Sequence, residues 1–334
     1  MTNAKDGIAV AGTLIADVFY EIDTYPAQGL LTNIRDMSFN IGGSGNLILD
    51  LAKLDDGLPV KVCAIVGNDS SGDLLMETLA NYPNVDTESI TREGNSSVTH
   101  VMNAKDTKQR TFFFHPAASD IFDETYIDWE KIDARIFHLE YLLLMKKVDA
   151  PDTEYGTHGA RILHDAKQRG MLTSVDIVSE QSDRARTVVT AALAYTDICT
   201  VNELEAEAIT GIAVAKNGSW DKERVQEAMH ALKNMGVGKW IVIHSPEGGY
   251  GYDCQAATLK YVPSLCLPDG YIKGSNGAGD AYCSGILYGA YQGMELEEAM
   301  ELATACAACS LSENNGTDGM RPCSQVWKLR EQLK

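Results

Sequence analysis

Beyond about residue 130 the sequence alternates between short apolar runs and longer helical patterns. Apolar runs fall at 135–139, 172–176, 197–201 and 240–243, and helical patterns near 152–170, 182–194, from 203, and over 221–235. Three more helical patterns close the chain at about 278–292, 295–312 and 322–333. Strands alternating with helices build a mostly parallel sheet covered on both faces. The expected fold is therefore α/β, a three-layer αβα sandwich.

The first third fits that plan less well. Runs at 8–14 and 60–66 read as buried strands, while 46–54 and 70–80 read as helices. The stretches 18–22 and 33–39 are β-like but too polar for a core strand, as are two strands within 97–115 joined by a polar turn at 105–108. These suit a small β-sheet lid projecting from the core. The chain reads as a single domain over 1–334, with lid strands inserted at about 17–40 and 96–116.

Charge narrows the partners. The 334 residues hold 28 Lys and Arg against 47 Asp and Glu, a formal charge of −19. Such a surface repels nucleic acid backbones and anionic lipid, so neither is an expected partner. No segment approaches the roughly eighteen uninterrupted apolar residues of a membrane span. The N-terminus lacks a signal-peptide layout, and eight cysteines are too sparse for a disulfide scaffold. A cytoplasmic setting is the expectation. Any anionic ligand must be held by a local device.

That device is G-S-N-G-A-G-D at 274–280, followed by A-Y-C-S-G-I-L-Y-G. Gly277 and Gly279 remove side chains where backbone approaches a ligand. A helix begins immediately afterwards, so free N–H groups of Gly277, Ala278 and Gly279 and the positive dipole end form an anion site. Asp280, set beside that anion, is placed to accept a proton from an attacking hydroxyl. A plain helix cap after a glycine turn would use similar residues.

This segment resembles the second signature of the PfkB-type, ribokinase-like carbohydrate kinases, and four others are similar in the family's order. Gly12 and Asp17 resemble the end of the first strand, where an aspartate holds substrate hydroxyls. Gly42, Gly43 and Asn46 resemble the first signature, which lines the sugar site. I-V-G-N-D-S-S-G at 65–72 resembles the loop after the second core strand. Asn202 and Glu205 resemble the family's N-x-x-E motif near Mg2+ and the nucleotide phosphates.

The resemblance implies an ATP-dependent kinase acting on a hydroxyl of a small sugar, with ATP and Mg2+ as cofactors. Asp280 would be the base, Asp17, Gly42, Gly43 and Asn46 the sugar site. Asn202, Glu205, Ser245, Gly248 and Thr304 would serve the nucleotide, and Glu205 would hold Mg2+ through water. It also implies a homodimer by lid-to-lid contact. Gly274 replaces an aspartate that helps bind a monovalent cation, which leaves that ion open. Ser245 replaces a common glycine, Thr304 stands where many relatives carry asparagine, and the first signature is one residue short before Asn46.

Other readings carry less. A nucleoside kinase on the same scaffold would need aromatic side chains for the base; residues 112–114 offer three phenylalanines, of which alternation should turn at least one into the core. A non-catalytic sugar-binding protein would not need Asp280. Neither G-x-G-x-x-G in the opening strand nor a Walker A pattern occurs. The C-x-x-C at 306–309 lies in a small-residue helix and reads as close packing. His115 and Arg110 read as exposed lid residues.

Overall fold

The computed structural model describes residues 5–107, 109–180, 183–216 and 219–334. Lys108, in the turn expected at 105–108, and Ser182, at the start of the helix expected near 182–194, lie outside them. A nine-stranded sheet forms the core, in the order Thr258–Pro263, Gly248–Asp253, Trp240–Ser245, Ile198–Asn202, Leu172–Ile177, Ile136–Leu142, Ile8–Gly12, Val60–Val66, Val85–Arg92. From Trp240–Ser245 onward every neighbour runs parallel. The first two strands extend the sheet antiparallel.

The strand Ile8–Gly12 is buried at every position, which a parallel strand covered on both faces requires. Two separate apolar cores flank the sheet. One gathers Leu47, Leu51, Ile286, Leu302 and Val326 from the helices Ser44–Leu54, Ala278–Gln292, Leu296–Leu311 and Cys323–Leu333. The other gathers Leu163, Val189, Ile209 and Met229 from His158–Gln168, Ala185–Leu193, Glu203–Thr210 and Lys222–Asn234. The three-layer α/β architecture is thus present. Among the described residues, no helix is long and apolar enough to cross a membrane.

A four-stranded second sheet carries the half-polar stretches, ordered Ile34–Gly43, Leu14–Ile22, Ser97–Ala104, Arg110–His115. Its inner strands pair parallel and its outer ones antiparallel. Four chain passages join this lid to the core, and hydroxyls from three of them converge. Ser97 Oγ donates to Pro116 O at 2.5 Å and lies 2.7 Å from Ser119 Oγ, which also meets Thr13 Oγ1.

Two expectations are corrected. Val85–Arg92 is a ninth core strand that the sequence reading left out; its V-D-T-E-S-I-T-R pattern is polar because it is a half-exposed edge. Phe112, Phe113 and Phe114 are all exposed, so none turns into the core; Arg110–His115 is one of the lid's two edge strands.

Candidate active site

The sheet's order reverses around Ile8–Gly12, which has Val60–Val66 on one side and Ile136–Leu142 on the other. Carboxyl ends of strands at such a switch point leave a crevice for ligands. Gly12 sits there with φ 152°, and a Cβ on it would lie 1.6 Å from Glu140 O, so the close approach demands glycine.

The helix Ala278–Gln292 starts at the same crevice. Gly277 precedes it in a left-handed conformation, φ 76°, and a Cβ there would stand 2.5 Å from Gly316 Cα. Ala281 N–H makes the bond to Gly277 O at 2.9 Å, which leaves the N–H groups of Ala278, Gly279 and Asp280 ahead of the helical ladder. Gly277 serves the turn, whereas Ala278 and Gly279 face a cavity of about 590 Å³. Asn202, Ser245, Gly248 and Thr304 line the same cavity. The stacked rings of His244 and Tyr282, 4.8 Å apart, and apolar Leu265, Leu267, Ile272 and Leu311 complete its walls. Free amides face one part of it, and Leu265, Leu267, Ile272 and Leu311 make another part apolar. Residues 244–249 are both a tight hairpin, Ser245 paired with Gly248, and part of this wall.

Asp280 is 9% exposed. Asn46 Nδ2 donates to its Oδ2 at 2.9 Å, and the Tyr141 hydroxyl donates to Oδ1. Burial raises its pKa, while the bonds from Tyr141 and Asn46 hold it down. Asn46 comes from the first turn of Ser44–Leu54. That helix starts at Gly43, φ 60°, without a side-chain cap; Ser44 instead gives both its N–H and its hydroxyl to Thr13 O, at 2.9 and 2.8 Å. Asp17 lies on the lid strand beside Gly42, where a Cβ would come within 2.2 Å of its Oδ2. Burial pushes the Asp17 carboxyl up to about 7 against the Thr99 hydroxyl bond, and the charge of Asp280 adds to the rise.

Asn202 and Glu205 form a reciprocal capping box. Asn202 Oδ1 accepts from the N–H groups of Leu204 and Glu205, both at 2.9 Å, and Glu205 Oε2 accepts from Asn202 N–H at 2.8 Å. Glu205 Oε1 takes the Ser179 hydroxyl at 2.7 Å. Glu205 is buried and lines an adjoining pocket of about 240 Å³, separated from the larger cavity by Leu204, which borders both. Burial pushes its carboxyl up to about 7, against the Asn202 and Ser179 bonds. Each Glu205 oxygen has accepted one bond and keeps a lone pair, so this carboxylate fits a hydrated Mg2+ held through water. At Gly274, a Cβ would lie 2.9 Å from Asn314 O, so backbone fills the space an aspartate would need.

Sequence reasoning missed several groups. Glu140, Asp176 and Asp280 each offer one carboxylate oxygen, and these lie within 4.8 Å of one another. Fully buried His138 joins Glu140 Oε2 through Nε2 at 2.9 Å and Ser174 Oγ through Nδ1 at 3.0 Å. Burial pushes His138 down to about 3, so the ring is neutral. With Glu140 as a carboxylate, Nε2–H donates to it and Nδ1 accepts from Ser174. Asp50, one turn beyond Asn46, is fully buried, and among the described residues neither of its carboxyl oxygens has a hydrogen-bond partner. The available signal was a His and a Glu inside the apolar strand around I-F-H-L-E-Y-L, where charge is out of place.

Residues 5–322 match the pfkB family of carbohydrate kinases. The bifunctional protein HldE of Pelobacter propionicus is 26% identical over 298 residues, which is 86% of this chain and 54% of that protein. The chain therefore spans about half the length of that relative. The solved ribokinase of Arabidopsis thaliana, complexed with ribose and ATP, superposes with a TM-score of 0.80 at 20% identity, covering 98% of this chain and 99% of that one. The nucleoside kinase of Methanocaldococcus jannaschii gives 0.75 at 16% identity, covering 99% and 100%. These structural likenesses establish a ribokinase-like fold. The chain belongs to the pfkB family of carbohydrate kinases.

Proposed function

We propose that this protein transfers the γ-phosphate of ATP to a hydroxyl of a small sugar or sugar derivative. The observation that carries the reading is one helix N-terminus with amides on the wall of a cavity and, in its first turn, a carboxylate facing away toward Asn46 and the lid. The apolar part of the cavity suits the adenine and the amide end its phosphates. The relatives named above, a ribokinase bound to ribose and ATP among them, support the same donor and acceptor classes.

In this reading Asp17 and Asn46 hold the sugar hydroxyls, one as acceptor and one chiefly as donor. Asp280 accepts the proton of the attacking hydroxyl, and Asn46 and Tyr141 fix the direction of its carboxylate. The N–H groups of Ala278 and Gly279 bear on the charge that spreads over the phosphoryl oxygens in the transition state. Mg2+, carried by the nucleotide and held through water by Glu205 and Asn202, would neutralise phosphate charge. The lid closes over the acceptor and keeps out water that would hydrolyse ATP.

A nucleoside acceptor is the second reading. It is favoured by exposed Phe114, which lines a separate cleft with Leu143 beside the lid. An ATP-consumption screen over pentoses, hexoses, sugar acids and nucleosides decides both. A sugar should be the best acceptor. Equal turnover by wild type and the Asp280→Ala variant would remove the assignment of the base.

A further inference from the structure

The carboxylates of Glu140, Asp176 and Asp280 meet in the crevice with no lysine or arginine paired to any of them among the described residues. Among the described residues the imidazole beside them is that of His138, whose Nε2 meets Glu140 Oε2 at 2.9 Å. Three acidic groups this close repel one another unless protons or a cation intervene.

Glu140 shows which remedy the site is built for. Its Oε2 is tied to His138, which is tied in turn to Ser174, so the carboxyl is held in one orientation. Its Oε1 is buried and has no partner among the described residues. A buried carboxylate oxygen without a donor lacks a ligand. All three groups supply oxygen, the donor of hard divalent cations. Such ions bind oxygen at about 2.0–2.6 Å, so oxygens on opposite sides of one ion stand about 4–5 Å apart. The separations within 4.8 Å therefore allow a common centre.

We propose that Glu140, Asp176 and Asp280 form a divalent cation site that fills in the absence of nucleotide. It differs from the position near Glu205 and Asn202, where the ion would arrive with ATP. Because Asp280 is shared, an ion here occupies the carboxylate that would take the substrate's proton. Free cation in excess of nucleotide then slows the reaction; this consequence rests on the kinase reading, whereas the binding does not.

The test is Mn2+ binding to nucleotide-free protein, followed by electron paramagnetic resonance. One ion per chain is expected, with affinity at least tenfold weaker in Glu140→Gln and in Asp176→Asn but unchanged in Glu205→Gln. Equal affinity in wild type and Asp176→Asn overturns the proposal, as does the lack of stoichiometric binding at millimolar Mn2+. A wild-type crystal soaked in Mn2+ avoids any dependence on how the variants fold. Its anomalous map should peak between the three carboxylates, and a soaked crystal without that peak also overturns the site. With an acceptor in hand, turnover at saturating nucleotide should fall as free Mn2+ rises in wild type. An unchanged rate would count against the inhibitory consequence while leaving the binding result to stand by itself.

Discussion

At Asp280, burial and hydrogen bonding pull in opposite directions. Desolvation favours the neutral acid, whereas donors from Asn46 and Tyr141 favour the anion a base must be. Asp280→Asn keeps the shape and removes the acceptor, so kcat should fall by about 10²–10⁴-fold while thermal stability holds, read by steady-state kinetics and calorimetry. Asp17, pushed up to about 7, sets a second limit. Below that pH it is protonated and loses its accepting charge, so kcat/KM for the sugar should decline as pH drops through about 7, and Asp17→Asn should remove that limb. Asp50 acts on stability. Its folded-state pKa is raised well above the ordinary value by burial, with Asp280 adding to it. The folded protein thus keeps a proton that the unfolded chain releases near pH 4, and stability drains as pH rises above about 4. Calorimetry from pH 4 to 7 should show a falling Tm in wild type and a flatter profile in Asp50→Asn.

Elements differed in how legible they were. Helix Ala278–Gln292 could be read to the residue because Gly277 and Gly293, both left-handed, punctuate its ends. Strand Val60–Val66 was equally plain, an apolar run broken only by Lys61. Val85–Arg92 was not, since an edge strand needs little apolar character. In the site, Asp280, Asn46, Ser245 and Thr304 stood in local patterns, whereas Glu140, Tyr141 and Asp176 gain meaning only from neighbours distant in sequence. The small residues of 278–292 also have a packing reason. A Cβ on Gly285 would lie 2.4 Å from Ala303 Cα, and one on Gly289 2.5 Å from Ala299 Cβ, so this helix lies almost backbone to backbone with Leu296–Leu311. Cys306 and Cys309, on the same helix Leu296–Leu311, are buried in the apolar core on that face of the sheet. Gly285→Val should cost about 1–3 kcal/mol or more in denaturant unfolding, because the helix cannot give way without displacing its own N-terminus from the site.

For the whole molecule, the lid raises the question of association. Its outer strand Ile34–Gly43 and the preceding loop expose Leu31 at 85% and Met37 at 65%. An open strand edge bearing apolar side chains invites pairing. We propose that two copies cover these edges lid to lid. Light scattering at micromolar concentration should give a dimer, and Leu31→Asp with Met37→Asp should give a monomer; a strictly monomeric wild type would rule this out. We also propose that core and lid form one domain, so calorimetry should show a single unfolding transition.

The knot of hydroxyls at Thr13, Ser97 and Ser119 has a mechanical consequence. It pins three strands of chain to one spot, so the leaf above can swing but cannot slide or peel away strand by strand. Asp17 sits only a few residues beyond that pivot, on a short lever arm. A sweep at the tip of the leaf would therefore move its carboxylate little and leave Asp17 in register with Asp280.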